Sequence, residues 1–140
     1  IITEKSASDV EKNWFVPILK ASEEERTVFG IVLEPNVTDL HKDTYDEDAV
    51  IKAAHHFMEN MQNIGKNHTQ IINGDVKILE SYCAPVDMNL ETPSGKVKIK
   101  KNTWLMKVRI IAEDIWQQVK KGEITGFSIG ALAQVTDLKE

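Results

Sequence analysis

A single serine in a glycine-flanked apolar segment is the residue of this chain best suited to nucleophilic chemistry. Ser128 lies in the run Gly126-Phe-Ser-Ile-Gly130, with a glycine two positions away on either side. On a β-strand, Ser128 and both glycines would share one face, while Phe127 and Ile129 would share the other, buried face. The glycines would leave room for a substrate backbone beside a hydroxyl presented by a rigid strand. The alternative is a structural serine on a half-buried strand, beside glycines that allow close packing.

A serine nucleophile needs a general base within hydrogen-bond reach, and His68 is the best candidate. It lies in a polar segment, residues 63–69, which we predict to be a loop between a helix and a strand. Loop histidines can act as bases because a scaffold positions them and water reaches them. The alternative for His68 is an ordinary surface histidine. His55 and His56 are neighbours on the predicted helix, about 100° apart, so we interpret them as helix-flank residues.

Two further groups of residues have types that could do chemistry. Asp39, His41 and Asp43 alternate along an extended segment and could supply metal ligands from one side. A solvated acidic turn ahead of a helix is the interpretation that we favour for them. Cys83 is the only cysteine, which excludes an internal disulfide, and a strand cysteine is typically a small buried hydrophobe rather than a nucleophile. We therefore expect no metal and no cofactor.

The composition is typical of one globular domain. The 140 residues are 41% hydrophobic and 28% charged, a length and balance that suit a single core. The formal net charge of −5 argues against binding to nucleic acid. The apolar runs are too short to cross a bilayer, and the residues after Ile1 lack the pattern of a signal peptide. We therefore expect no membrane partner.

Short strands and two helices are predicted around these residues. Apolar runs and alternation predict six strands, at Trp14–Leu19, Thr27–Glu34, Val76–Cys83, Lys96–Lys101, Trp104–Ile110 and Ile124 to about Val135. Thr44 and Glu47 are spaced as a capping box, which predicts a helix to about Met61. Glu113 begins a second helix, which ends at Gly122. Because the strands do not alternate regularly with helices, we expect an α+β fold, with a barrel-like antiparallel sheet of about five to seven strands flanked by helices.

Six segments of the chain match, in order, the pattern of a known protein family. They are Thr27–Pro35, Ile51–Met58, Asn63–His68, Leu79–Asp87, Lys101–Leu105 and Trp116–Gly130. The most specific is the last, where a helix is followed by Gly-Glu-Ile-Thr-Gly-Phe-Ser. Together they resemble the XkdF-like phage prohead proteases, a branch of the capsid-maturation serine proteases that is similar to the herpesvirus assemblins. The resemblance covers the chain from about Trp14 to Val135.

The resemblance implies a serine endopeptidase in which Ser128 is the nucleophile and His68 the general base. It implies one protease domain over residues 1–140, with an assemblin-like barrel and surrounding helices. The implied substrates are the scaffold and major capsid proteins of the immature phage head, in the host bacterial cytoplasm. Self-cleavage usually ends the work of such enzymes. A homodimer is a further expectation, since assemblins tend to dimerise.

The third catalytic group is the part of the family pattern that this chain leaves open. In assemblin-type sites, a second histidine or an acid orients the catalytic histidine. In XkdF-like chains we expect this orienting residue on a strand that has moved to the N-terminus. The segment Thr3–Ser8 is similar to the end of that strand, so the third residue would lie upstream of Ile1. Glu80 and Asp75 are the other candidates. The alternative function is a catalytically silent module of the same fold that organises head assembly.

Overall fold

The computed structural model describes residues 9–38, 42–61, 64–66, 70–71 and 74–134. In chain order the elements are β1 (Asp9–Pro17), β2 (Lys20–Ser22), β3 (Thr27–Leu33), α1 (Glu47–His56), β4 (Ile64–Lys66), β5 (Gln70–Ile71), β6 (Val76–Cys83), β7 (Met88–Thr92), β8 (Gly95–Ile99), β9 (Trp104–Ile110), α2 (Glu113–Lys120) and β10 (Gly126–Gln134). A π-helical segment, Phe57–Met61, continues directly from α1. Among these residues, no helix has the length and apolar character needed to span a bilayer.

The strands form two four-stranded sheets and a separate hairpin. The first sheet has the order β1-β10-β4-β5, the second has the order β2-β3-β9-β6, and β7 pairs with β8. Every pair is antiparallel. The predicted α+β class with antiparallel strands is therefore confirmed. Strand pairing does not join the two four-stranded sheets within the described residues, so the predicted barrel and its assemblin-like form stay predictions.

The described residues hold ten strands, more than the five to seven predicted. The unpredicted strands are β2, β4, β5 and β7, and each has only two to five residues. Short strands carry little apolar alternation of their own, because their place is set by the strands with which they pair. The predicted loop over residues 63–69 is wrong at Ile64–Lys66, which is strand β4.

One face of each four-stranded sheet packs into a shared core with both helices. The core includes Val16, Phe127 and Ile129 from the first sheet, Val28, Met106 and Val108 from the second, Val50, Ala53 and Phe57 from α1 and the segment after it, and Ile115 and Trp116 from α2. Trp104 is fully buried, and its ring centroid lies 5.8 Å from that of Phe57. The indole Nε1–H of Trp104 donates a hydrogen bond to Ser81 Oγ at 3.0 Å, which satisfies its polar atom in the interior.

The opposite face of the second sheet is covered by the β7–β8 hairpin. Ala84, Ile99 and Leu105 are buried there, and Phe29, Ile31, Met88, Leu90 and Val97 pack around them. The alternation along β9 explains both contacts, since successive side chains of a strand point to opposite faces. The second sheet is thus the middle layer, between the main core and the hairpin.

The two four-stranded sheets approach each other closely where β1 crosses β3. A Cβ atom on Gly30 would lie 2.5 Å from the Pro17 carbonyl oxygen and 2.7 Å from Val16 Cγ1. Glycine is therefore required for this approach of two strands. Just beyond the crossing, Leu19 N donates to Phe29 O at 2.8 Å, and Ile18 N donates to Thr125 O at 2.9 Å. These bonds fix the end of β1 to both sheets.

Helix α1 begins differently from the prediction. Asp46 is the N-cap residue, and its Oδ1 accepts a hydrogen bond from Ala49 N at 2.8 Å. The predicted capping box at Thr44 is wrong, because Thr44 Oγ1 lies 3.0 Å from Thr38 Oγ1 and shares a hydrogen bond with it instead. The second helix is confirmed from Glu113, and Gly122 beyond its end has a φ of 80°.

Candidate active site

Ser128 lies on β10, an interior strand of the first sheet. β10 pairs with β1 on one side and with β4 on the other, so Ser128 is directly opposite Phe15 in one pair and Gly65 in the other. Phe127 and Ile129 are 5% and 2% exposed and face the core, whereas Ser128 is half-buried. The predicted alternation of faces is confirmed at these three residues. The hydroxyl therefore belongs to the face of the sheet that points away from the main core.

Among the residues that the structure describes, the positions next to Ser128 on this face are mostly glycines. Four backbone positions surround it, at 15 and 65 on the neighbouring strands and at 126 and 130 along β10. Three of them are glycines, and Phe15 is the fourth. A Cβ atom on Gly126 would lie 2.5 Å from Phe15 Cζ and 2.5 Å from the Val16 carbonyl oxygen, so this position accepts only glycine without a shift of its neighbours. At these four positions, therefore, only Phe15 has a side chain that could limit the approach of another polypeptide to Ser128.

His68 lies outside the residues that the structure describes, so its distance to Ser128 stays a prediction. The nearest described residue before it is Lys66, the last residue of β4, which pairs with Phe127. The two histidines on α1 are described. His55 is exposed, and His56 is half-buried, with no hydrogen-bond partner for its buried Nδ1 among the described residues. Helix α1 packs against β10, which makes His56 a useful control for the assignment of the base.

The two acids proposed as a third catalytic member lie at the second sheet. Glu80 is on β6, and its carboxylate lies 3.9 Å from Lys107 Nζ on the neighbouring strand. Asp75 precedes β6, and its backbone carbonyl accepts hydrogen bonds from Ile111 N at 2.7 Å and Ala112 N at 3.2 Å. Neither acid is on a strand that pairs with β10. The third member of the site, including the candidate upstream of Ile1, stays a prediction.

A cavity of about 430 Å³ opens between the second sheet and the β7–β8 hairpin. Its walls include Glu80, Lys107, Phe29, Tyr82 and Leu90, and Ser128 is not among them. Desolvation, followed by the negative charge of Glu80, raises the pKa of Tyr82. The cavity is therefore separate from the surface around Ser128 and lies on the hairpin side of the second sheet.

Cys83 is poorly suited to the role of nucleophile. It is half-buried at the end of β6 and packs against the main core. Burial raises the pKa of its thiol, which lowers the fraction of the reactive thiolate. This agrees with its interpretation as a small hydrophobe and leaves Ser128 as the better candidate.

The three candidate metal ligands lie only partly within the described residues. Asp39 and His41 lie outside the described residues, while Asp43 lies within them. Within the described part of the chain, no group of three or more His, Cys, Asp or Glu side chains is placed to hold a metal ion.

Similarity to known proteins identifies the family of this chain. A family model described as "Putative phage serine protease XkdF" matches residues 15–137, and the chain belongs to this family. "Phage-like element PBSX protein XkdF" of Bacillus subtilis (strain 168) is 36% identical over 113 residues, which cover 81% of this chain and 39% of that protein. "Uncharacterized protein YqbD" of the same strain is 36% identical over 142 residues, which cover 100% of this chain and 41% of that protein. The chain thus spans about two fifths of the length of these relatives. No solved structure matches it.

Proposed function

We propose that this protein is a serine endopeptidase in which Ser128 is the nucleophile and His68 the general base. The observation that carries the proposal is the position of Ser128. It lies on an interior strand, on the face away from the core, with glycines at three of its four neighbouring positions, in a chain of a family named for a phage serine protease. A rigid strand that presents a hydroxyl among glycines suits attack on a peptide carbonyl.

Chain connectivity supports His68 as the base. It follows Lys66 by two residues, and Lys66 is the direct strand partner of Phe127, next to Ser128. Two residues span at most about 7 Å. The covalent chain therefore permits a histidine at position 68 to reach the neighbourhood of the serine.

The proposed reaction is the standard acyl transfer of a serine protease. Ser128 Oγ attacks the scissile carbonyl while His68 takes the hydroxyl proton, and His68 then gives that proton to the leaving amine. Water, deprotonated by the same histidine, releases the acyl group and restores the serine. An acid or second histidine that orients His68 completes the site, and Glu80, Asp75 and a residue upstream of Ile1 are the candidates.

The biological setting belongs to the proposal as well. We infer that the substrates are phage scaffold and major capsid proteins, cleaved inside the prohead in the host cytoplasm, and that self-cleavage ends the activity. We also propose that the protein has an assemblin-like barrel and forms a homodimer. The name of the relative from the phage-like element PBSX supports the phage context.

Labelling with a small alkyl fluorophosphonate, followed by intact-mass analysis, tests the nucleophile and the base. We expect one label per chain, none on Ser128→Ala, and a rate at least about 10²-fold lower on His68→Gln. His56→Gln is the matched control, because it removes a histidine from a helix that packs against β10, and its rate should stay near that of the wild type. Loss of labelling in His56→Gln but not in His68→Gln would overturn the assignment of His68 as the base.

The third member is tested with the same reagent. Loss of an orienting acid typically lowers the rate by about 10⁴-fold in the chymotrypsin-type template. Glu80→Gln and Asp75→Asn each keep side-chain size and remove one charge, so a drop of this order in one of them identifies the acid. Two unchanged rates would leave the residue upstream of Ile1. Absence of label from the wild-type protein would refute the protease and favour the silent assembly module.

A further inference from the structure

We infer that Phe15 forms the apolar wall of the substrate site and selects a bulky apolar side chain on the residue that supplies the scissile carbonyl. The inference rests on the proposed function, because it takes Ser128 as the nucleophile. It adds the chemical class of substrate side chain that the site prefers and the residue that recognises it.

The strand register places Phe15 beside Ser128. The two residues are directly paired between β1 and β10. Directly paired residues of antiparallel strands carry their side chains on the same face, with Cβ atoms about 4.5–5.5 Å apart. Both side chains are half-buried, so solvent reaches this part of the face.

The phenyl ring extends along β10 rather than away from it. Phe15 Cζ and Cε2 lie 2.5 Å and 2.8 Å from the point where a Cβ atom on Gly126 would be. The ring therefore fills the place of the side chain that Gly126 lacks. Residues 126 and 128 share one face, about 6.7 Å apart along the strand. The ring thus stands to one side of Ser128, within the reach of a substrate side chain.

The other neighbouring positions offer no side chain. Gly65 lies opposite Ser128 on β4, and Gly130 lies two residues further along β10. Of the four positions that surround the hydroxyl on this face, only Phe15 can contact a substrate through a side chain. Recognition at these positions therefore consists of backbone on three sides and one aromatic surface.

This surface favours apolar substrate side chains. In a bound substrate, the residue that supplies the scissile carbonyl has its Cβ only two bonds from the carbonyl carbon that Ser128 attacks. An isobutyl group on that residue would lose water against the ring, which is favourable, whereas a carboxylate would be desolvated without a partner at these positions. One extra or missing methylene group in such a site gives a rate ratio of roughly 10 to 200.

Peptidyl diphenyl phosphonates that carry different side chains test the inference directly. In the labelling step, Ser128 Oγ bonds to phosphorus and phenoxide leaves, while the serine proton passes through the base to the phenoxide. We would measure the labelling rates of probes with an isobutyl, a methyl and a carboxyethyl side chain at the reacting residue. We expect the isobutyl probe to label wild-type protein at least about tenfold faster than the methyl probe, and the carboxyethyl probe to label more slowly than both.

Variants at Phe15 then connect this preference to the ring. Phe15→Ala should lower the isobutyl-to-methyl rate ratio to about 1, and Phe15→Leu, which keeps a smaller apolar wall, should lower it by about threefold. A ratio of two rates on the same protein cancels any loss of folded protein. Phe29→Ala is the matched control, since Phe29 is also half-buried but packs beneath the β7–β8 hairpin, and its ratio should equal that of the wild type.

The small fluorophosphonate separates the two hypotheses. Label on Ser128 from that reagent, together with equal rates for the isobutyl and methyl probes, would overturn the role of Phe15 and keep the protease. An unchanged ratio in Phe15→Ala would do the same. Failure of every reagent to label Ser128 would overturn the proposed function, and the inference with it.

Discussion

Replacement of Gly126 by alanine should destabilise the protein by disturbing the pairing of β1 with β10 next to Ser128. The added methyl group would lie 2.5 Å from Phe15 Cζ, 2.8 Å from Phe15 Cε2 and 2.5 Å from the Val16 carbonyl oxygen. The phenyl ring is a half-buried side chain, which can shift at less cost than backbone. The carbonyl oxygen belongs to a paired strand and can move only with its backbone.

The expected cost follows from these two contacts. Added methylene groups in a packed site typically cost about 1–3 kcal/mol. A contact almost 1 Å too short against backbone places Gly126→Ala in the upper half of that range, about 2–3 kcal/mol. Gly74 is the matched control, since a Cβ atom there would have no neighbour within 4 Å, and Gly74→Ala should change stability by less than about 0.5 kcal/mol.

Urea unfolding followed by tryptophan fluorescence measures both variants, with Trp104 as a buried reporter. The midpoint of Gly126→Ala should fall while the slope m stays that of the wild type. In the double variant Phe15→Ala/Gly126→Ala the ring contact is gone, so it should be more stable than the sum of the single changes predicts, by about 0.5 kcal/mol or more. Equal stability of Gly126→Ala and Gly74→Ala would refute the close approach of β1 to β10.

Three further predictions concern the helices, the charges and the thiol. Asp46→Ala should lower the free energy of unfolding in urea by about 0.5–2 kcal/mol because α1 loses its N-cap acceptor. Thr44→Ala should lower it by less than Asp46→Ala does. The reverse order would restore the capping box at Thr44. The pKa of Glu113 is lowered by hydrogen bonds from Gln117 and Arg26, and that of Glu23 by Lys120. The contribution of these two carboxylates to stability is therefore present above the unfolded pKa and is lost as the pH falls through the lowered pKa values. The double variant Glu23→Gln/Glu113→Gln should therefore lose less stability than the wild type between about pH 5 and pH 3. Parallel curves of stability against pH would contradict this. Because burial raises the pKa of Cys83, iodoacetamide should modify the folded protein more slowly than the urea-unfolded chain, and equal rates by mass spectrometry would show an accessible thiolate.

The elements with strong patterns of their own were predictable from the sequence. β3, β9 and β10 carry long apolar runs or clear alternation, and α2 has acidic residues in its first turn and a glycine beyond its end. These features are local, so a window of ten residues contains them. The position of Ser128 on a face opposite Phe127 followed from the same alternation.

The elements that depend on distant partners were not predictable in this way. β4 and β5 have three and two residues, and β4 exists as a strand because it pairs with β10. Phe15 was within a predicted strand, but nothing in its neighbourhood indicates Ser128 as its partner, more than a hundred residues away. Register across such a distance depends on the whole sheet, and one step of slippage would exchange every face. The proposed proximity of His68 to Ser128 would depend on the same long-range register, which is why the proposal needs a chemical test.

The pairing of β1 with β10 also bears on when the site forms as the chain folds. Residues 9–17 and 126–134 come from opposite ends of the described chain, and their nine pairs include Phe15 with Ser128. Closing a loop of roughly one hundred residues costs about 4 kcal/mol of chain entropy before these pairs form. Contacts of such long range are slow to form, and on the ribosome β1 is synthesised long before its partner. We therefore expect the serine and the aromatic residue beside it to meet late in folding, and a nascent chain that ends before β10 lacks Ser128 altogether.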